Sequence, residues 1–432
     1  MEKTNSEITD FEKRERLNFI AKNVIDCFNF VPDKESLLFI TDGKVVEQNP
    51  MFVQAINDEL EQRTNKDQHT RGNFERIVVK ASPKSAEPFG EKIGEKMKDR
   101  PVLIVTSMSR SHSQETGAAL RADIRDKTVF DEILSSEELL QTASKGWSGF
   151  TPERLASLGG KMPDSTYEKM KAFAKVRRIR LISITKGHNP YEILTKGAVE
   201  ESVEVLRRRA EIVSKLMRDV TKVHITSGLG TDLWLSPRTD KTEVEDGLVD
   251  KPGKLSNFPI GEWSTSPFIE GANGLMVVDG PIGGNHNLDM IEDYGPITLV
   301  VKEGNITHVN NIPLKENTGN SLAESVKSYL GSGNNAEGHA FRIAELGIGI
   351  NGKACQSKAP KDIGSSEGEK IYGTCHIAFG SNGSFGVEPG DPNLNAVPIH
   401  CDMVLMNGLN VDCERKDGTN FSLIHESEPQ GY

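Results

Sequence analysis

Two short apolar segments near the C-terminal end carry residue types that can hold a metal ion. They read Gly373-Thr-Cys-His376-Ile-Ala-Phe-Gly380 and Val397-Pro-Ile-His400-Cys-Asp402-Met-Val-Leu405. In an extended chain, side chains at i and i+2 share a face, so His400 and Asp402 are expected to point together. Two imidazoles and a carboxylate converging from two strands outline a metal site with N and O donors. Cys375 and Cys401 stand one residue off each His, and the same alternation turns them to the opposite face as core thiols.

Further carboxylates stand in telling contexts. Glu345 lies in Ile343-Ala-Glu345-Leu-Gly-Ile-Gly349, a lone acid among apolar and glycine residues, and Glu262 lies between Asn257-Phe-Pro-Ile-Gly and Trp263. Burying an unpaired carboxylate costs several kcal/mol, so Glu345 is expected to face a cation. Glu367 and Glu369 belong to a charged run, Ser366-Glu-Gly-Glu-Lys370, whose default is a solvated loop.

The elements that must position these residues fall into two textures. Over residues 1–190, apolar runs at Leu37–Ile40, Ile77–Val79, Val102–Val105 and Leu181–Ile184 alternate with helical patterns such as Leu17–Phe30, Asn57–Gln62 and Gly117–Asp126. That alternation predicts an α/β domain with an open, mostly parallel sheet. It carries neither a GxGxxG nor a GxxxxGK[ST] cradle. The segment Thr106–Ser113, with Arg110 and His112, follows a strand and reads as a polar loop or a cleft lining.

Val199, Val203, Leu206, Ala210, Val213, Leu216 and Val220 recur at helical spacing and predict one long connecting helix over 191–220, from about Tyr191 to Asp219. From 221 to 432 short strands and glycine turns predict a β-rich, metal-binding domain. Hairpin signals stand at Glu303-Gly-Asn305, Met406-Asn-Gly408 and Lys416-Asp-Gly418. Only Asn320–Leu330 reads as helical there. The stretch from Asp279 to Ile297 is a long loop whose His286 reads as a surface residue, and Glu337 and His339 are candidates to support Glu345.

Composition excludes several classes. A net charge of -11 disfavours nucleic acid, whose phosphates need clustered basic surface. With 36% hydrophobic and 27% charged residues the chain reads as globular and acidic. No apolar run reaches the ~18 residues of a membrane span. Five Cys, odd in number and without CxxC spacing, argue against a disulfide framework and fit a cytoplasmic protein.

The succession Gly-Glu262, Ala-Glu345-Leu-Gly, Gly-Thr-x-His376-Ile-Ala-x-Gly and His400-x-Asp402 resembles the thermophilic metalloprotease family of aminopeptidases, leucyl aminopeptidase-like and of the S/T type. Gly230-Thr-Asp-Leu233 and Asn257–Trp263 share that likeness, which covers about Val223 to Leu423. The resemblance implies two divalent ions, Zn, Co or Mn, held by Glu262, Glu345, His376, His400 and Asp402. Glu345 would bridge them, and Asp402 could also serve both. It further implies a metal-activated water attacking a peptide substrate, catalytic duty for Glu262, Glu345 and Glu369, and a homodimer. The sequence departs from that family in lacking a Tyr in the loop Ser381–Gly386, and Glu369 is the nearest counterpart of the family's Glu ahead of the first His.

The same superfamily contains an iron-dependent dioxygenase that opens dihydroxypyridine rings, for which His376, His400 and Asp402 would suffice as a facial triad. A catalytically silent metal-binding protein is a third reading. Because one iron has no need of Glu262 and Glu345, the sequence favours the two-metal aminopeptidase.

Overall fold

In the computed structural model the described residues are 9–28, 36–64, 74–79, 102–107, 179–184, 195–250, 255–284, 286–310, 312–313, 322–332, 338–387, 390–397 and 399–432. Arg110, His112 and Glu337 lie outside them. Among the described residues, one compact unit holds those up to Val203 together with Leu248–Phe258, and a second holds Glu204–Gly247 and Pro259–Tyr432.

The first unit begins with helix α1, Asp10–Asp26. Thr9 and Glu12 close a capping box: the Thr9 amide donates to Glu12 Oε2 at 2.8 Å while the Glu12 amide donates back to Thr9 Oγ1. Leu17, Ile20, Ala21, Val24 and Ile25 form its buried stripe. Strand β1 (Ser36–Asp42), helices α2 (Gly43–Gln48) and α3 (Pro50–Thr64), and strands β2 (Phe74–Val79), β3 (Val102–Ser107) and β4 (Ile179–Ile184) follow.

Helix α4, Val203–Leu216, is the described part of the expected connecting helix, which is therefore far shorter than 191–220. Gly197 at φ 79° opens a separate single turn, Gly197–Glu200, and extended Glu201 follows it, so the helical period does not run through. At the other end Asp219, at φ 61°, reverses the chain. Within α4 and just beyond it Val203, Leu206, Ala210, Val213 and Met217 are buried, one apolar stripe at helical spacing.

Strands β5 (Val220–Ser227), β6 (Asp232–Leu235), β7 (Pro237–Glu245) and β8 (Leu255–Phe258) come next. Strand β8 returns to the first unit and pairs in parallel with β4, which gives a parallel sheet of order β2-β1-β3-β4-β8. Arg180, 3% exposed, donates to the Val249 carbonyl at 3.0 Å and to the Phe28 carbonyl, fastening that return.

The second unit continues with β9 (Glu262–Pro267), β10 (Asn273–Val278), α5 (Leu288–Tyr294), β11 (Ile297–Lys302), β12 (Asn305–Val309), β13 (Ile312–Pro313) and α6 (Leu322–Gly331). It ends with β14 (Ile343–Gly349), the single turn α7 (Ser365–Gly368), β15 (Cys375–Gly380), β16 (His400–Leu405), β17 (Leu409–Arg415), β18 (Asn420–His425) and β19 (Glu428–Pro429). Two antiparallel sheets result, β13-β12-β11-β10-β6-β5-β17-β18-β19 and β16-β15-β14-β9-β7.

Three expectations are corrected here. Met406–Gly408 is no hairpin, because β16 and β17 belong to different sheets. The Asp279 carboxylate accepts the amides of Met406 and Asn407 at 2.8 and 3.0 Å and so turns the chain across. The stretch after Asp279 contains helix α5 rather than only loop. His286 is 3% exposed, not a surface residue: Nδ1 meets the Gly283 carbonyl at 2.7 Å and Nε2 meets Ser325 Oγ of α6 at 2.8 Å. Among the described residues no helix is long and apolar enough to cross a membrane.

Candidate metal centre

The smaller sheet sorts its side chains by chemistry. Register places Ala378 opposite both Glu345 and Asp402, His376 opposite Gly347, Gly380 opposite His400, and Glu262 opposite both Gly349 and Glu245. Directly paired residues share a face, so every candidate donor lies on one side, and the residues facing them across the ladder are mainly Gly and Ala. The opposite side presents Leu346, Ile348, Cys375, Ile377, Cys401 and Met403, all fully buried. The two thiols therefore point away from the donors, and burial pushes both well above the usual cysteine range.

On the donor side, His400 Nε2 lies 3.0 Å from Glu345 Oε2 and 3.0 Å from Asp402 Oδ1. His376 Nε2 lies 3.3 Å from Glu345 Oε1 and 3.9 Å from Glu262 Oε2. Ligand atoms of Glu345, His400 and Asp402 all fall within 4.8 Å of one another. The structure thus brings together Glu345, His376, His400 and Asp402, with Glu262 at the margin.

Within the cluster the acids and the imidazoles shift one another. Burial alone would push Glu345 up, yet hydrogen bonds from His376 and His400 hold it below the usual carboxylate range. Asp402 is also lowered, burial being outweighed by the charge and hydrogen bond of His400. Burial would lower His376, but Glu345 carries it up to about 9, and His400 is raised well above its ordinary value by Asp402 and Glu345.

The donor set fits a metal. His400 Nδ1 lies 2.7 Å from the Ser381 carbonyl, an acceptor only, so Nδ1 carries a hydrogen and Nε2 is the atom left for an ion. Donors about 2.1 Å from one ion and at right angles are about 3 Å apart, which is the spacing that His400 keeps from both carboxylates. Imidazole and carboxylate together suit iron, zinc or manganese.

Glu262 and Glu369 behave differently. Lys370 Nζ, its side chain 4% exposed, lies 3.0 Å from Glu245, 3.4 Å from Glu262 and 2.9 Å from Glu369. Burial would lower this lysine, but the three carboxylates hold it well above its ordinary value. Burial raises Glu262 well above the usual range and carries Glu369 up to about 7, in both cases against the pull of Lys370. The run 366–370 is thus no solvated loop: Glu367 is fully buried, paired with Lys358 and accepting the Cys355 amide at 3.1 Å.

Sequence reasoning missed Lys370 and Glu245. The signal for Glu245 is the Thr242-Glu-Val-Glu245 alternation, which puts Glu243 and Glu245 on one face; Lys370 stands only as the end of a charged run. The carbonyl of half-buried His339 accepts from the Asn395 side-chain amide at 2.7 Å. Tyr372 packs edge-on to Tyr432 and hydrogen-bonds its carbonyl.

With this geometry in place, comparison with known proteins is decisive for the family. The NicX family, described as 2,5-dihydroxypyridine 5,6-dioxygenase, matches residues 175–412. The chain belongs to the NicX family. A 2,5-dihydroxypyridine 5,6-dioxygenase of Pseudomonas putida KT2440 is 24% identical over 209 residues, which are 46% of this chain and 55%, about half, of that relative's length. The solved structure of the 2,5-dihydroxypyridine dioxygenase of that organism superposes with a TM-score of 0.56 at 15% identity, covering 98% of this chain and 99% of that one. Wild-type AmpT from Thermus thermophilus superposes at 0.58 with 13% identity, covering 96% and 99%. At such identities the two structures share the fold with this chain.

Membership of the NicX family corrects the aminopeptidase resemblance, and with it the hydrolase, peptide-cleaving reading. The physical reason is visible at Glu262. In sequence its carboxylate reads as a ligand for a second metal, whereas the buried ammonium of Lys370 lies beside it.

Proposed function

We propose that this chain is a ring-opening dioxygenase acting on a dihydroxypyridine or a close hydroxylated N-heteroaromatic, with a single ferrous ion. The observation that carries the reading is the convergence of ligand atoms of Glu345, His400 and Asp402, with His376 Nε2 3.3 Å from Glu345, in a chain of the NicX family. Glu345, His400 and Asp402 are assigned as the ligands, with His376, 3.3 Å from Glu345, as a further nitrogen donor beside them.

A ferrous ion in such a triad supplies the redox chemistry by which dioxygen is added to an electron-rich ring. The protein's own groups handle protons and position. His400 keeps one orientation through its Nδ1 hydrogen bond to the Ser381 carbonyl. Glu369, its carboxyl carried up to about 7 by burial, is assigned to proton exchange with the ring hydroxyl, since it can change protonation near neutral pH. Lys370 holds Glu369 in place at 2.9 Å.

The test is anaerobic loading with Fe(II), followed by 2,5-dihydroxypyridine and air. Loss of the ring absorbance with uptake of about one dioxygen per ring is expected. Absence of both, in protein shown to hold iron, would end the proposal.

A further inference from the structure

Next to the donor cluster lies a second concentration of acidic side chains. Glu245 and Glu262 face one another across adjacent strands β7 and β9, where two ionised acids would repel. Glu369 adds a third carboxylate, and all three meet at one ammonium, Lys370 Nζ, within 3.0, 3.4 and 2.9 Å. Glu262 also reaches towards the donor cluster, 3.9 Å from His376 Nε2, and its Oε2 receives no hydrogen bond among the described residues.

The lysine is fixed by backbone as well as by charge. Its carbonyl accepts the Asn351 amide at 2.8 Å and its own amide donates to the Glu367 carbonyl at 3.1 Å. Glu367 is itself tied to Lys358 in a pair whose side chains are 0% and 2% exposed. An ammonium so held does not swing aside at low cost, and a divalent ion placed among the same carboxylates would meet it at close range.

We infer that Lys370 is a built-in cation that fills the place of a second metal ion, reserving Glu245, Glu262 and Glu369 and holding the centre to one ion. The inference rests on the single-ion reading given above and extends it to a residue that sets metal stoichiometry. Removal of the ammonium leaves three carboxylates beside His376, a donor set that suits a second divalent ion.

The test uses the full chain and Mn(II), with bound metal measured by elemental analysis after equilibrium dialysis and by electron paramagnetic resonance. Wild type and Lys370→Arg are expected to hold about one Mn(II), giving an isolated six-line signal. Lys370→Met is expected to hold about two, with the broadened signal of a coupled pair, and Lys370→Met/Glu262→Gln to return to about one.

A count near one in Lys370→Met, or near two in wild type, would overturn the inference. If Lys370→Met folds only with Mn(II) present, the count near two is still expected; a variant unfolded even in saturating Mn(II) overturns it. Turnover is a separate readout. A wild type that holds one ion yet never consumes dihydroxypyridine would remove the proposed reaction and leave this role of Lys370 standing.

Discussion

The imidazole of His376 occupies the space beside Gly347: a Cβ at position 347 would come within 2.0 Å of the ring's Cε1 and 2.1 Å of its Nε2. Glycine here is a condition for the donor cluster, because no side chain can share that space. Gly347→Ala is therefore expected to push His376 off Glu345 and weaken metal binding by on the order of 10- to 100-fold, the range seen when the support of a ligand is disturbed. Competition with a chelator measures this. Unchanged affinity would mean that His376 is not a ligand.

His400→Ala and Asp402→Ala should each lose the ion, because His400 Nε2 lies 3.0 Å from both Asp402 and Glu345, whose ligand atoms converge with it. Elemental analysis on protein purified without chelator reads the result directly. A variant that keeps full metal content and oxygen uptake would remove that residue from the centre.

The ion-free protein should lose stability as pH rises. His376 has an ordinary value of 6.5 and is carried up to about 9 in the fold, burial being outweighed by Glu345. Below about pH 6.5 the folded and unfolded chains both hold this proton and the stabilisation is complete. Between 6.5 and 9 the unfolded chain releases the proton while the folded one keeps it, so the advantage drains away as pH climbs through the folded value. Metal affinity should run the other way over the same range, because the ion replaces those protons. Thermal melts with and without added Fe(II) or Mn(II) check both trends, and an ion-free melting temperature that is flat from pH 6.5 to 9 would contradict the cluster as described.

Thiol reactivity gives an independent check on which face each strand presents. Cys27, Cys375, Cys401 and Cys413 are buried, and burial carries Cys413 up to about 12 and Cys375 and Cys401 well above the usual range. The thiolate is the reactive form, so alkylation of the native protein at pH 8 is expected at half-buried Cys355 alone. Rapid labelling of Cys375 or Cys401 would mean that the sheet is open or reversed.

Lys358→Met removes the ammonium of a fully buried pair and leaves the Glu367 carboxylate without that charge. A loss of ~3–5 kcal/mol is expected, measured by denaturant unfolding. The charge-free double variant Lys358→Met/Glu367→Leu should be milder than the single one, and the reverse order would exclude desolvation as the cause.

Parts of this arrangement were legible in the sequence for a simple reason: alternation survives in isolation. The i, i+2 relation of His400 and Asp402 and the opposite facing of Cys375 and Cys401 depend only on the strand period, and Glu345 announced a cation by standing among apolar residues. What tertiary pairing decides was hidden. Ser366-Glu-Gly-Glu-Lys370 looks solvated as a string, but Glu367 is buried against Lys358 and Lys370 against Glu245 and Glu262 of β7 and β9. His286 is buried because Ser325, on a helix about 40 residues away in sequence, meets it. The reaction itself was misjudged because Glu262 looks the same in sequence whether a metal or a lysine sits beside it.

One consequence of the two-faced sheet concerns which metals the chain can accept. Strands β15 and β16 carry imidazoles and a carboxylate on one side and sulfur on the other, offset by a single residue. A slip of one position would trade His376 for Cys375 and turn Cys401 inward, giving a soft centre suited to copper(I) instead of a hard one suited to ferrous iron. The register irregularity between Ile343 and Glu345, and the seating of His376 on Gly347, work against that slip. Strand alignment in this protein is thus also a filter on the periodic table.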